Sequence, residues 1–198
     1  MTACSIQAAI LAGGQSRRMG HDKSFLDLNG KPLIQHVIDP LRSLGLDIML
    51  ITNTPTLYAH LDLPMFTDEL PNNGSLGGLY TALAKATAPH VLCVACDMPF
   101  LNPALLHWLM GLRADYEAII PVTNATAHNL HAIYARSCLP TILRQIEQHN
   151  LRIMDFYQSL NVRYVSESEL RVYDPDLRSL MNLNTPADVQ QAVSGKPE

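Results

Sequence analysis

Four short runs that are apolar at nearly every position constrain this chain most: residues 6–12 (IQAAILA), 46–52 (LDIMLIT), 91–96 (VLCVAC) and 118–122 (AIIPV). Each has strand length, and each lacks the polar face that a half-solvated strand would show. Strands of this kind are covered on both sides, as central strands of a parallel sheet are. The segments between them supply the covers. Leu33, Ile34, Val37, Ile38, Leu41 and Leu44 recur at helical spacing behind Pro32, expected in the first turn. Pro40 falls inside that stripe and is expected to kink or shorten the helix. Leu76, Leu79, Tyr80 and Leu83 mark a second helix, and a third opens with Asn102 as cap and Pro103 in its first turn, burying Leu105, Leu106 and Leu109.

Beyond Val122 the pattern loosens. His131 to Tyr134 reads as a strand, Leu139, Ile142, Leu143 and Ile146 as a helix, and Ile153, Phe156, Tyr157 and Leu160 follow at helical spacing. A strand is expected over residues 162–165, and Thr185-Pro186-Ala187-Asp188 is a cap, a first-turn proline and an acidic third residue that start a last helix. Strand–helix alternation through the first 120 residues predicts a doubly wound α/β sheet with right-handed crossovers. No linker-like stretch interrupts the 198 residues, so one domain is expected.

Composition narrows the function classes. Hydrophobic residues make up 47% and charged residues 16%, which excludes a disordered tail, a coiled coil or a supercharged binder. A net charge of −4 argues against coating nucleic acid or anionic membrane. Four cysteines are too few for a disulfide framework; Cys93 and Cys96 form a C-x-x-C, but inside an apolar run they read as buried thiols rather than a zinc or redox pair. Residues 1–5 carry no basic start, and the apolar run behind them ends at Gly13, too short for a signal or membrane span; the reducing cytoplasm is the expected compartment.

In doubly wound sheets ligands bind beyond the carboxyl ends of the strands. The first such end is Leu11-Ala12-Gly13-Gly14, followed by Arg17, Arg18 and Lys23: three of fourteen basic residues within seven positions. Glycines let backbone amides approach a phosphate, and the cations neutralise it; the competing reading is a solvated turn with incidental basic residues. The loop is neither a P-loop, since Lys23 follows Asp22 rather than a glycine, nor G-x-G-x-x-G. Asp97 directly follows the third apolar run. It is either an anchor for Mg²⁺ beside phosphates or a helix-initiating residue before Pro99.

Together these residues resemble the nucleotidyltransferases with a GT-A-like Rossmann fold, and among them the molybdenum cofactor guanylyltransferases. The resemblance rests on Leu11-Ala12-Gly13-Gly14-x-Ser16-x-Arg18-Met19-Gly20-x-Asp22-Lys23, on Gly30-Lys31-Pro32-Leu33 and on Cys96-Asp97-Met98-Pro99-Phe100-Leu101. It extends to Leu130-His131-Ala132-Ile133-Tyr134, to Asn182-Leu183-Asn184-Thr185-Pro186-Ala187-Asp188, and to Gly74-Ser75-Leu76-Gly77-Gly78 as a turn, with Ser75 where the family has proline. The resemblance implies a three-layer α/β/α sandwich on a mostly parallel Rossmann-like sheet. Residues 1–122 would bind nucleotide and 123–198 the acceptor.

The implied reaction moves GMP from GTP to the terminal phosphate of molybdopterin, releasing pyrophosphate, with Mg²⁺ as cofactor. The implied nucleotide site is Leu11, Ala12, Gly13, Gly14, Lys23, Asn53, Asp68 and Asp97, with Lys23, Arg18 and Asp97 as the catalytic set and Asp97 as metal ligand. Gly13 and Asp22 stand where cytidylyl-transferring relatives have alanine and proline, which favours GTP. Asn182 and Asn184 alternate onto one face of an extended segment, either meeting the acceptor or metal shell or serving a turn. His21, His128 and His131 read as acceptor-side hydrogen bonders or surface residues rather than bases. Partners implied are GTP, molybdopterin, and proteins that deliver the cofactor or receive it; neither nucleic acid nor membrane is implied. The alternatives are another nucleotidyltransferase on this fold, making a cytidylyl cofactor or a nucleotide sugar, and a non-catalytic nucleotide-binding handover module.

Overall fold

Every apolar run becomes a strand, in a computed structural model that describes residues 6–13 and 23–194. Strand β1 (Ile6–Leu11) is followed by a small hairpin of β2 (Asp27–Leu28) and β3 (Lys31–Pro32), then α1 (Leu33–Ser43) and β4 (Ile48–Ile51). Helix α2 (Pro55–Tyr58) and β5 (Met65–Phe66) lead to α3 (Gly74–Lys85) and β6 (His90–Ala95). Helix α4 (Pro103–Gly111) precedes β7 (Ala118–Thr123), β8 (Thr126–Ala127) and β9 (His131–Ala135). Helices α5 (Leu139–Glu147) and α6 (Ile153–Phe156), β10 (Val162–Val165), α7 (Glu167–Leu170) and α8 (Pro186–Ser194) complete the order.

The main sheet runs β10-β7-β9-β6-β1-β4-β5, with β8 paired to β7. Strand β1 is parallel to both β4 and β6, β4 to β5, and β10 to β7, while β9 runs antiparallel between β6 and β7. The chain steps outward from β1 to β4 and β5, then returns through α3 to β6 on the other side of β1. That reversal opens a crevice at the carboxyl end of β1. Leu11 pairs with Ala95, so β1 and β6 end level, and Gly13 and Asp97 leave the sheet side by side.

Both faces of the sheet are covered, giving three layers. On one face Ile10, Leu50, Leu92 and Ile133 pack under Ile34, Val37 and Leu41 of α1 and Leu105 and Leu109 of α4. On the other, Ala9, Met49, Val91 and Tyr134 pack under Leu76, Leu79 and Leu83 of α3, Ile142 of α5 and Phe156 of α6. A smaller cluster of Leu28, Leu33, Leu183 and Val189 fastens α8 to the β2–β3 hairpin. No helix of the described residues is long and apolar enough to cross a membrane.

Local chemistry explains where elements start and stop. Asn102 caps α4, its side chain accepting from Ala104 and Leu105 amides. Asp188 reaches back to the Asn184 and Thr185 amides while Thr185 Oγ1 accepts from Asp188 N, a reciprocal cap for α8. Three expectations are corrected. Pro32 is not in the first turn of α1 but extended just before it (φ −60°, ψ 145°), a conformation its ring permits equally well. Helix α1 is not cut short at Pro40 but runs on to Ser43. Proline costs about 3 kcal/mol there, and Ile34, Val37, Ile38 and Leu41, all at 0% exposure, each return about 1.5–3 kcal/mol on burial. Residues 74–78 are not a free turn but the start of α3.

Gly77 shows why that start needs glycine: a Cβ there would lie 2.8 Å from the Leu70 carbonyl oxygen and 3.1 Å from Asn73 Cβ. Gly111, exposed at the end of α4 with φ −65°, has nothing within 4 Å of such a Cβ. Alanine is intrinsically better than glycine in a helix by about 0.5–1 kcal/mol. Gly111→Ala is therefore expected to raise the midpoint of urea unfolding, and Gly77→Ala to lower stability by about 1–3 kcal/mol through overpacking.

Candidate functional site

Three distant segments converge at the crevice. Lys23 begins a short 3₁₀ turn (Lys23–Phe25) whose second residue, Ser24, is fully buried. The Ser24 hydroxyl lies 2.9 Å from the Tyr58 hydroxyl and donates to Cys96 Sγ at 3.2 Å, which ties the segment carrying Lys23 to the end of β6. Asp97 follows Cys96, and its side chain is only 2% exposed. The third segment, residues 181–184, passes across them, held by Leu183 N donating to the Asp97 carbonyl at 2.8 Å and by the buried Leu183 side chain.

The polar groups meet at one point. Lys23 Nζ forms an ion pair with Asp97 Oδ2 and donates to Asn184 Oδ1 at 2.9 Å. Asn182 Nδ2 donates to Asp97 Oδ1 at 3.3 Å. Both asparagines thus turn to one side of their segment while Leu183 turns to the other, as extended backbone requires. Asp97 Oδ2 and Asn184 Oδ1 both hold one cationic nitrogen. That pair of hard oxygens suits a cation such as Mg²⁺, which takes one or two protein oxygens and fills its shell from phosphates and water. No group of three or more His, Cys, Asp or Glu side chains able to hold a metal occurs among the described residues.

A cleft of about 160 Å³ opens beside these groups, lined by Leu11, Ala12, Gly13, Lys23, Asp68, Asp97 and Asn182 among others. Six of the eight nucleotide-site residues expected from sequence line it. Asn53 does not, but it acts through one that does: Asn53 Nδ2 donates to Asp68 Oδ2 at 2.9 Å, and Asp68 N to Asn53 Oδ1 at 3.0 Å. Gly14 and Arg18 lie outside the described residues, as do Arg17 and His21. An added Cβ on Gly13 would meet no atom of the described residues within 4 Å.

Sequence reasoning missed the contribution of α3. Gly74, Ser75 and Gly78 line the cleft, and the Gly74 and Ser75 amides find no acceptor among the described residues. Asn73, at the cap position, spends its side chain on the Leu70 and Pro71 carbonyls instead. The start of a twelve-residue helix therefore presents free amides and a partial positive charge to the cleft. The helix itself was expected from Leu76, Leu79, Tyr80 and Leu83, but reading the glycines as a turn concealed that it starts among them.

A second cavity of about 260 Å³ adjoins the first, sharing Ser75, Leu130 and Asn182 and adding Met98, His128, Asn129 and Ile153. Asp97 faces one compartment and Met98 the other. His128 sits in this wall, its Nε2 2.7 Å from Thr123 Oγ1, and partial burial pulls its pKa down. His131 is neither a surface residue nor a cavity residue. It is 0% exposed on the α1/α4 face of the sheet, because β9 begins inside the core, and neither ring nitrogen has a hydrogen-bond partner of ordinary geometry among the described residues. Among the described residues Cys93, Cys96 and Cys138 are buried thiols, with burial pushing the pKa of Cys93 upward and that of Cys138 up to about 12.

The pattern that defines the MobA-like NTP transferase domain matches residues 8–163. A molybdenum cofactor guanylyltransferase from Desulfosudis oleivorans is 35% identical over 190 residues, covering 95% of this chain and 94% of that protein. Another from Syntrophotalea carbinolica is 33% identical over 186 residues, covering 93% and 89%. Among solved structures, molybdopterin-guanine dinucleotide biosynthesis protein A from Archaeoglobus fulgidus superimposes with a TM-score of 0.81 at 30% identity, covering 94% of this chain and 96% of that one.

The buried histidine generates a pH test. Desolvation, reinforced by His128, drops the His131 pKa from 6.5 to about 4, against the opposing pull of Asp174 and the Ser179 backbone. The folded state thus holds His131 neutral while the unfolded chain protonates it below pH 6.5. Stability is full above pH 6.5 and is lost as pH falls toward 4, by up to about 3 kcal/mol from this group. Denaturant unfolding of wild type and His131→Leu between pH 7 and 4 is expected to show a shallower loss in the variant.

Proposed function

The chain belongs to the MobA-like NTP transferase family, and from that premise we propose that it transfers GMP from GTP to the terminal phosphate of molybdopterin, releasing pyrophosphate. The observation that carries the reading is the pair of adjoining cavities: Lys23 and Asp97 line the first, and Asn182, bonded to Asp97, borders both. A group transfer between two anions needs two adjoining compartments and cationic or amide donors for the transferred phosphate.

The attacking oxygen already belongs to a phosphate, so the reaction needs no general base; the work is to hold two repelling anions in line and to stabilise charge on the transferred group. The triphosphate lies along the first cleft, with the Gly74 and Ser75 amides and Lys23 as its donors. Lys23 exchanges its bond to Asp97 for phosphate oxygens. Arg18 and Gly14, from the sequence motif that runs up to Lys23, serve the triphosphate with it. Asp68, braced by Asn53, borders the nucleoside side. Asn182 and Asn184 close the site from the acceptor side. Asp97, with Asn184 beside it, would hold Mg²⁺, which would supply charge neutralisation on the phosphates.

In this reading residues 1–198 act as one transferase domain, with nucleotide held by residues 1–122 and acceptor by 123–198. The three buried thiols are in keeping with a reducing cytoplasm. So labile an acceptor calls for transient contact with proteins that deliver it or take the finished cofactor.

A thermal-shift panel of GTP, CTP, UTP and ATP with Mg²⁺ tests the donor. GTP alone at 100 times its dissociation constant is expected to add about 2.7 kcal/mol, or roughly 5–10 °C; a shift with CTP instead overturns the assignment made from Gly13 and Asp22. Lys23→Ala is expected to slow dinucleotide formation about 10²–10³-fold. Asp97→Ala is expected to remove the Mg²⁺ dependence of the rate, and wild-type turnover by either variant overturns that residue's role.

A further inference from the structure

Behind the second cavity lies a closed ring of polar groups from three residues that the transfer itself does not use. The Tyr134 hydroxyl donates to the Asn129 carbonyl at 2.9 Å, and the Tyr134 and Tyr157 hydroxyls are 2.7 Å apart. The Tyr157 hydroxyl is in turn 2.7 Å from the Oδ1 position of the Asn129 carboxamide. Tyr134 is 0% and Tyr157 3% exposed, so water cannot complete the ring, whereas half-buried Asn129 lines the cavity.

Counting hydrogens decides which way the carboxamide faces. Three contacts need three hydrogens, and the two phenols supply two. Burial pushes both phenols up in pKa, so both hydrogens stay in place. A backbone carbonyl can only accept, and if Oδ1 also faced Tyr157, one of the three short contacts would join two acceptors with no hydrogen between them. Carboxamide oxygen and nitrogen are told apart by their partners. With Nδ2 turned inward every contact is satisfied in one direction: Asn129 Nδ2 donates to Tyr157, Tyr157 to Tyr134, and Tyr134 to the Asn129 carbonyl. The side chain then has its Oδ1 on the exposed side, where Asn129 borders the cavity.

We infer that Asn129 is a specificity-determining residue for the acceptor, its Oδ1 fixed toward the second cavity by Tyr134 and Tyr157 to accept a hydrogen bond from N–H donors on the acceptor's ring system. The inference rests on the reading of that cavity as the acceptor compartment. A pterin presents such donors in its 2-amino group and adjacent ring N–H, and a carbonyl oxygen is the complement they need. A carboxamide free to rotate would offer its NH₂ half of the time. The phenol ring removes that ambiguity, so Tyr134 and Tyr157 are positioning residues acting through Asn129. His128 stands on the same wall of the compartment, its Nε2 bonded to Thr123 Oγ1.

Two measurements test this. In ¹⁵N-edited spectra of the wild-type protein, the Asn129 side-chain NH₂ protons are expected to show cross-peaks to the Tyr157 ring protons next to its hydroxyl. Their absence, with the NH₂ facing the cavity, overturns the orientation. In steady-state assays with purified molybdopterin, Asn129→Ala is expected to raise the acceptor KM about 5- to 10-fold, the worth of one hydrogen bond. Neither kcat nor the KM for GTP should change. Tyr157→Phe is expected to give a smaller rise, 2- to 5-fold, confined to the acceptor KM. A general structural defect would move both KM values and kcat together, and that result, or an unchanged acceptor KM, overturns the inference. Wild-type protein that makes no dinucleotide product overturns the functional reading and this inference with it. Wild-type protein that makes it while Asn129→Ala keeps its acceptor KM overturns only the inference.

Discussion

A carboxylate with 2% of its surface exposed has lost its water and must be balanced by protein. Asp97 is such a group, and much of the local architecture follows from balancing it. Its neighbours come from residues 23, 182 and 184, separated from it by 74 to 87 positions of sequence. Lys23 is held there by its neighbour Ser24, pinned in the core beside Tyr58 and Cys96. To bring Asn182, the chain runs an unstructured segment across the sheet edge and fastens it with Leu183. A buried charge is weak evidence for stability, since a well-packed apolar pair is often as good. It is strong evidence for a purpose, because partners gathered around a strand-end carboxylate also define where an incoming anion and cation are received.

The arrangement is electrostatically self-contained before any ligand arrives. Lys23 and Asp97 cancel each other, and the asparagines complete their shells without adding charge. A triphosphate offers Lys23 a more highly charged partner, so the switch exchanges one ion pair for another rather than creating charge in a low-dielectric cleft. The free amides at the start of α3 add a fixed positive contribution that needs no rearrangement.

Much of this was legible in the sequence because the relevant signals are local. Two-sided apolar runs marked β1, β4, β6 and β7, and a charged residue directly after one of them marked Asp97. The alternation of Asn182 and Asn184 foretold two polar groups on one side of an extended segment. What escaped depends on tertiary context. The helix continues past Pro40 because four fully buried side chains outweigh one missing amide. The direction of β9 cannot be read from its composition, so the burial of His131 could not be seen. The Asn129 ring joins residues up to 28 positions apart and has no sequence pattern at all.

Residues 181–184 belong to no helix or strand; their only backbone–backbone bonds among the described residues are Met181 N to Arg178 O and Leu183 N to Asp97 O, and the rest of their hold is the buried Leu183, the Asn184 amide on Asp188 and the side-chain bonds of Asn182 and Asn184. A segment held so lightly opens at a lower free-energy cost than the sheet beneath it. Its release would carry Asn182 away from Asp97 and Asn184 away from Lys23 while every central strand stayed paired. Heat or mild denaturant should therefore silence the protein before melting it, reversibly, and amide protons of this strap should exchange faster than those of β1 and β6. Bound substrates that bridge the two compartments would close that gap, making the strap the part of the molecule that gains most order from being occupied.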